Sequence, residues 1–481
     1  MPIIAPDGST RLVRFTPKLP GSRISRRRCN RARSRWLGCW GSTRSTTVRA
    51  PRHRRTDKMQ SKRGGINQRL MMVVAAALPL AGCGVLGGGD GGPKTPTIGN
   101  RVSILSNDAS IKLDPTIAGQ AVLVPDAQSN ADWPQSGGNA AKSVGHVALG
   151  TSRTQIWSAN IAGNSNTVRL ASPPVVGGGR LFAIGTDAVV HAFAADTGAS
   201  LWRIGIGSEE RDFARALFGG GVAVEGNFVY ATSGAGDVAA INAETGAMVW
   251  KVKPAGPLRG APTVAFGSLY VMTQDNQMLA LAATDGAVQW QASASLQAGS
   301  VFGAGSPAAG QGTIVAGYSS GEVQAYRYEN GRDLWDDALA RTSMTLSVAT
   351  LTDVDADPVI DRGRVFALGQ GGRMASYELL TGQRSWEISI AGISTPWVAG
   401  EWIYAVTDDS QLLCIARATG KVRWISRLSR FRNEEKKKNP IRWTGPLLAG
   451  GRLILVNTEG ELAEVLPEDG SIAATQNLKT P

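Results

Sequence analysis

One spacing constrains this chain more than any other feature: a glycine followed four residues later by a tryptophan. It recurs six times, as Gly198/Trp202, Gly246/Trp250, Gly286/Trp290, Gly331/Trp335, Gly382/Trp386 and Gly420/Trp424. A seventh glycine, Gly470, has Ala474 at that distance. About twenty residues before each of the seven lies another glycine (Gly179, Gly226, Gly267, Gly312, Gly363, Gly400 and Gly451), and most of these follow a proline by five residues, as Gly267 follows Pro262. Each unit therefore reads as strand, turn, strand, turn, strand, glycine turn and tryptophan strand. Four strands in about 44 residues make one propeller blade. The expected fold is an all-β propeller of four-stranded blades, with seven complete repeats from Pro173 onward and one isolated strand at Ile156-Trp157. At a fixed place in every blade, a tryptophan ring fills the wedge between neighbouring sheets, burying on the order of 200 Å². The aromatic stripe is core rather than a ligand site.

Charge locates the ends of this domain. Of 51 basic residues, 16 fall in residues 1–58 against only Asp7 and Asp57, so the rest of the chain holds 35 basic and 36 acidic residues. The propeller thus carries no basic excess, which argues against nucleic acid as a partner. Residues 1–58 are Arg/Ser-rich and aperiodic, so they read as a disordered basic extension. From Met59, the basic Lys62, Arg63 and Arg69 followed by the apolar run Leu70–Leu80 have the form of a secretory signal peptide over 59–82. A signal peptide belongs at a true N-terminus, which favours a miscalled start over a basic tail or an organellar transit peptide. The signal ends in Leu80-Ala81-Gly82-Cys83, which resembles the bacterial lipobox. That resemblance implies diacylation of Cys83 and, with Gly84 next, residence at the outer membrane. Residues 83–131, opening Gly87-Gly88-Gly89-Asp90-Gly91-Gly92, read as a flexible tether, and 132–481 as the propeller.

The glycine–tryptophan repeat and the opening Trp133-Pro134-Gln135-x-Gly137-Gly138 are similar to the pyrroloquinoline-quinone-type propeller superfamily. Within it, the lipobox and Leu351-Thr352-Asp353-Val354-Asp355-x-x-Pro358-Val359 resemble the BamB family of outer-membrane β-barrel assembly lipoproteins. The resemblance covers residues 80–481. It implies an eight-bladed, non-catalytic scaffold lipid-anchored on the periplasmic face of the outer membrane. The implied partners are the barrel-inserting subunit and nascent outer-membrane proteins. Family members dock through an Asp-x-Asp loop and, one blade earlier, a Leu-x-Leu-Arg-Gly loop. The first carries over to Asp353 and Asp355. The place of the second reads Gly299-Ser300-Val301-Phe302-Gly303, so Val301 and Phe302 become the partner contacts. Leu258-Arg259-Gly260 looks similar but lies a blade too early and receives little weight. Asp353 and Asp355 are equally explained as turn residues that cap a loop.

The rival class is a quinoprotein dehydrogenase or another periplasmic ligand-binding propeller. As the superfamily implies, such an enzyme needs a catalytic Asp, a Ca²⁺ site and usually a vicinal cysteine pair, and the sequence has no Cys-Cys. Cys414 sits in an apolar strand and reads as a small buried hydrophobe. Asp353-x-Asp355-x-Asp357 begins like a calcium loop, but Pro358 and Arg364 occupy the positions that need Gly and Glu, so neither a metal nor a cofactor is expected. His146 and His191 pair with no acid or base in the sequence. Capture of a peptide strand at a sheet edge is a third class, compatible with the scaffold. The charged stretch Arg427–Lys438 reads as a solvated loop, or as a contact for an acidic partner or anionic headgroups.

Overall fold

The computed structural model describes residues 2–4, 10–18, 111–150, 155–163, 172–207, 219–296, 305–339 and 353–478. The expected signal peptide, Cys83, Val301 and Phe302 lie outside them. Seven four-stranded antiparallel sheets follow in chain order, at 175–205, 220–252, 263–293, 308–338, 359–388, 397–427 and 443–477. These are the seven expected blades of an all-β propeller; among the described residues the one helical element is the 3-10 turn Pro115–Ile117.

The inner strands read as apolar runs because they are buried on both faces. Val222 and Val224 point into a core shared with the first blade, whereas Ala223 points into one shared with the third. Every hydrophobic cluster lies between two consecutive units in this way, from the strand Gln155–Ala162 and the first blade to the sixth and seventh blades. The strands therefore alternate between two cores, not between core and solvent, unlike an ordinary half-exposed sheet.

Tryptophans join the blades. Trp290 Nε1 donates to the carbonyl of Tyr328 in the next blade at 2.8 Å, and Trp157, Trp202, Trp250, Trp335, Trp386 and Trp424 make the same bond. Three residues beyond that carbonyl comes the next blade's turn glycine. Gly331 has φ +66°, and a Cβ there would stand 2.4 Å from the Trp290 ring. Glycine is thus required twice over, for its left-handed backbone and for the ring laid against it.

Two segments differ from expectation. The strand Thr10–Lys18 pairs in parallel with Gln155–Ala162 and antiparallel with Pro2–Ile4, so the extension is not wholly unstructured. An unpaired strand edge offers a ladder of backbone groups that an extended segment can satisfy. The later part of the expected tether, 83–131, is packed on the propeller. From Ile111 the chain lies along the sixth blade: Asp114 N donates to Val422 O at 2.9 Å and Arg423 Nε to Gln120 O at 2.8 Å. Val122 is buried in the core between the sixth and seventh blades.

Candidate functional site

In a four-stranded meander, the turns joining strands two and three share one end of the blade with the connectors to the next blade. Leu258-Arg259-Gly260 precedes the third blade and Asp353-Val354-Asp355 the fifth, so both lie at this end. Arg259 Nη2 donates to Asp355 Oδ1 at 3.0 Å, skipping in chain order the connector that precedes the fourth blade. The segment that spacing sets aside as a lookalike is therefore the spatial partner of Asp355. Arg259 is fully buried and its N–H donates to Met272 O at 2.8 Å.

The loop is built into the interior. Val354 is fully buried, and its N–H donates to Tyr318 O at 3.1 Å. A Cβ at Gly317 would come within 2.3 Å of the Val354 side chain, so this close approach needs glycine. The Asp353 carbonyl accepts from Gln370 N at 2.9 Å, and the residue is 1% exposed. The Asp355 side chain retains 13% exposure. Burial pushes its carboxyl up to about 6 although Arg259 pulls it down, and Asp353 and Asp408 add to the rise. Leu258 is 1% exposed in the core between the second and third blades. Asp353, Leu258 and Arg259 all face the interior, because the connectors turn inward to reach the first strands.

The opening motif gives the site its floor, a role that spacing does not reveal. Residues 133–147 run around the axis and touch the first strand of every blade in turn. Trp133 exchanges backbone bonds with Val176, and Pro134 O accepts from Val224 N. The Gln135 amide donates to Val264 O at 2.8 Å and accepts from Val264 N at 3.0 Å. Ala140 O and Ala141 O accept from Ala309 N and Ile360 N, Gly145 O accepts from Trp397 Nε1, and Val147 N donates to Leu448 O. Lys142 is wholly buried, with Nζ 3.3 Å from Thr263 Oγ1 and 4.0 Å from Asp357 Oδ2; desolvation lowers its pKa and Asp357 partly offsets this. Asp357 also accepts from Ser306 N at 2.7 Å and Ser136 Oγ at 2.9 Å. Gln135→Leu is expected to cost about 2 kcal/mol, because it leaves both Val264 backbone groups buried and unpaired. A shift in the urea midpoint measures it, and an unchanged midpoint contradicts the assignment.

The remaining chemical candidates are structural. His146 Nδ1 meets Pro125 O at 2.7 Å and its Nε2 accepts from Gly451 N at 2.8 Å, so both ring nitrogens are engaged. His191 stacks on Phe193, and burial lowers its pKa. Cys414 is buried, which raises its thiol pKa. Among the described residues, no group of three or more His, Cys, Asp or Glu could hold a metal, and no helix is long and apolar enough to cross a membrane.

Comparison with known proteins matches residues 186–426 to the family model for outer membrane protein assembly factor BamB. The chain is 28% identical to the Yersinia pestis protein of that name over 331 residues, covering 68% of this chain and 82% of the relative. It is 28% identical to the Escherichia coli K12 protein, covering 68% and 81%. Among solved structures, BamB from Moraxella catarrhalis aligns with a TM-score of 0.55 at 18% identity, covering 64% of this chain and 88% of that one. A europium-containing methanol dehydrogenase aligns at 0.57 and 14% identity, covering 73% and 86%. At such identities both structures show the fold alone.

Proposed function

The chain belongs to the outer membrane protein assembly factor BamB family, and from that premise we propose that it is a non-catalytic lipoprotein of the outer-membrane β-barrel assembly machinery. It is anchored through Cys83 on the periplasmic face and docks on the barrel-inserting subunit with the connector end of its propeller. The observation that carries this reading is the Arg259–Asp355 pair, which ties together the two connectors whose motifs resemble the family's docking loops. With Asp353 and Leu258 buried, the contacts we assign to the partner are Asp355 and, outside the described residues, Val301 and Phe302. Phe302 supplies an aromatic anchor of the kind that dominates interface energetics. The quinoprotein alternative shares the fold but finds less support. Residues 133–147 occupy the axis, and Asp357 is engaged by Ser306 and Ser136.

The test is an affinity pull-down from detergent-solubilised envelopes with the wild type, Phe302→Asp and Asp355→Ser. The wild type is expected to recover the barrel-inserting subunit and Phe302→Asp to lose it, with unchanged thermal unfolding. Recovery of no assembly subunit by the wild type rejects the scaffold reading; equal recovery by both variants rejects the site.

A further inference from the structure

The charged stretch after the sixth blade is a formed hairpin with a divided set of charges. Phe431–Asn433 pairs with Lys438–Pro440, and Ile441 N donates to Arg430 O at 2.8 Å. Its roots are buried: Leu428, Ile441 and Trp443 belong to the core between the sixth and seventh blades, and Trp443 Nε1 donates to Ser429 O at 2.8 Å. Its flanks are braced on both neighbours. Arg430 pairs with Asp409 of the sixth blade at 2.6 Å, and Arg432 with Glu459 of the seventh at 3.5 Å. The turn is held from within, since Glu434 accepts from Arg430 N and Phe431 N, and Asn433 Oδ1 accepts from Lys436 N. Lys436, Lys437 and Lys438 remain exposed at the tip, and no carboxylate pairs with them among the described residues.

We infer that this tip is a docking surface for anionic phospholipid headgroups, which fixes the propeller's orientation at the membrane; this rests on the membrane-anchored reading above. Residues 427–442 hold seven basic and two acidic side chains, whereas residues 59–481 as a whole are close to neutral. An anionic surface therefore attracts the hairpin and repels the remainder, a torque that a uniformly charged domain would not feel. The 27 residues between Cys83 and Ile111 can span at most roughly 90 Å, so an acylated chain keeps the tip within reach of a bilayer. Membrane, rather than an acidic protein, is favoured because these lysines are contiguous, unpaired and carried on a braced support. Multivalent, geometry-tolerant attraction of this kind suits a headgroup layer. Each basic side chain at such a surface strengthens binding roughly fivefold.

The test follows tryptic cleavage at Lys436–Lys438 in the full chain mixed with vesicles, relative to cleavage at the exposed Arg327. Phosphatidylglycerol-containing vesicles are expected to slow hairpin cleavage about tenfold or more at low salt, an effect lost in high salt and absent with phosphatidylcholine alone. In Lys436→Gln/Lys438→Gln, cleavage at the remaining Lys437 is expected to lose that protection. Equal rates in the two vesicle types overturn the inference. So does protection that arises only when the isolated barrel-inserting subunit is added, which would make the tip a protein contact. Because no assembly subunit is present in the vesicle arms, failure there leaves the docking proposal standing, and failure of the pull-down leaves this one standing.

Discussion

Trp290→Ala is expected to lower the free energy of unfolding by about 4 kcal/mol, in the middle of the range for deleting a buried aromatic. The ring sits 5.9 Å from Tyr270 and 6.0 Å from Tyr326, donates to the Tyr328 carbonyl, and covers Gly331. Its loss opens a cavity at the joint between two blades and leaves that carbonyl without its donor. The surroundings cannot collapse to fill the space, because the Gly331 turn has no side chain to move in. Ala474→Trp provides the contrast. Ala474 occupies the same repeat position in the seventh blade, yet among the described residues no later turn glycine stands to receive its ring. This substitution is expected to change stability by less than about 0.5 kcal/mol, as a surface change does. Urea midpoints followed by circular dichroism measure both. A loss below about 1 kcal/mol for Trp290→Ala would mean that the joints are held mainly by the aliphatic clusters.

Arg259→Met is expected to be strongly pH-dependent. The folded-state pKa of Asp355, about 6, lies above its unfolded value near 3.8. Between these values the folded state binds more protons than the unfolded state, so this group makes stability fall as pH rises from about 4 to 6 and adds no further slope above. At pH 5 the carboxyl is mostly protonated and Arg259 has little charge to oppose. At pH 8 it is ionised, and the arginine is its close counter-charge. Removing the arginine raises the carboxyl pKa further and extends the falling window upward. The expected cost is about 3–5 kcal/mol at pH 8, the usual result of leaving one buried charge alone, and much less at pH 5. Arg259→Met/Asp355→Asn should recover most of the pH 8 loss, because no buried ion then remains. Equal costs at both pH values would show that Arg259 acts through packing alone.

Blade number, strand order and the buried role of the tryptophans were legible in the sequence, because each depends on contacts repeated at one short spacing. A turn glycine and the tryptophan four residues later are fixed by the geometry of a single hairpin, so Gly286-x₃-Trp290 announces itself without reference to the rest of the chain. The apolar surroundings of Cys414 were likewise visible from its own strand. The site was not legible in this way. Arg259 meets Asp355 from 96 residues away, and Gln135 meets Val264 from 129. Spacing within a repeat cannot encode such contacts, because they exist only once the blades have packed side by side and their connectors and residues 133–147 have come together. The same convergence buried Asp353 and Leu258, which as isolated loop residues look exposed. It also turned residues 133–147 from an N-terminal motif into a hub that meets all seven blades. The sequence determined the blades, since each is a local solution of backbone geometry and hydrophobic burial. Only the tertiary structure decided what stands between them, since that depends on how successive blades pack around residues 133–147.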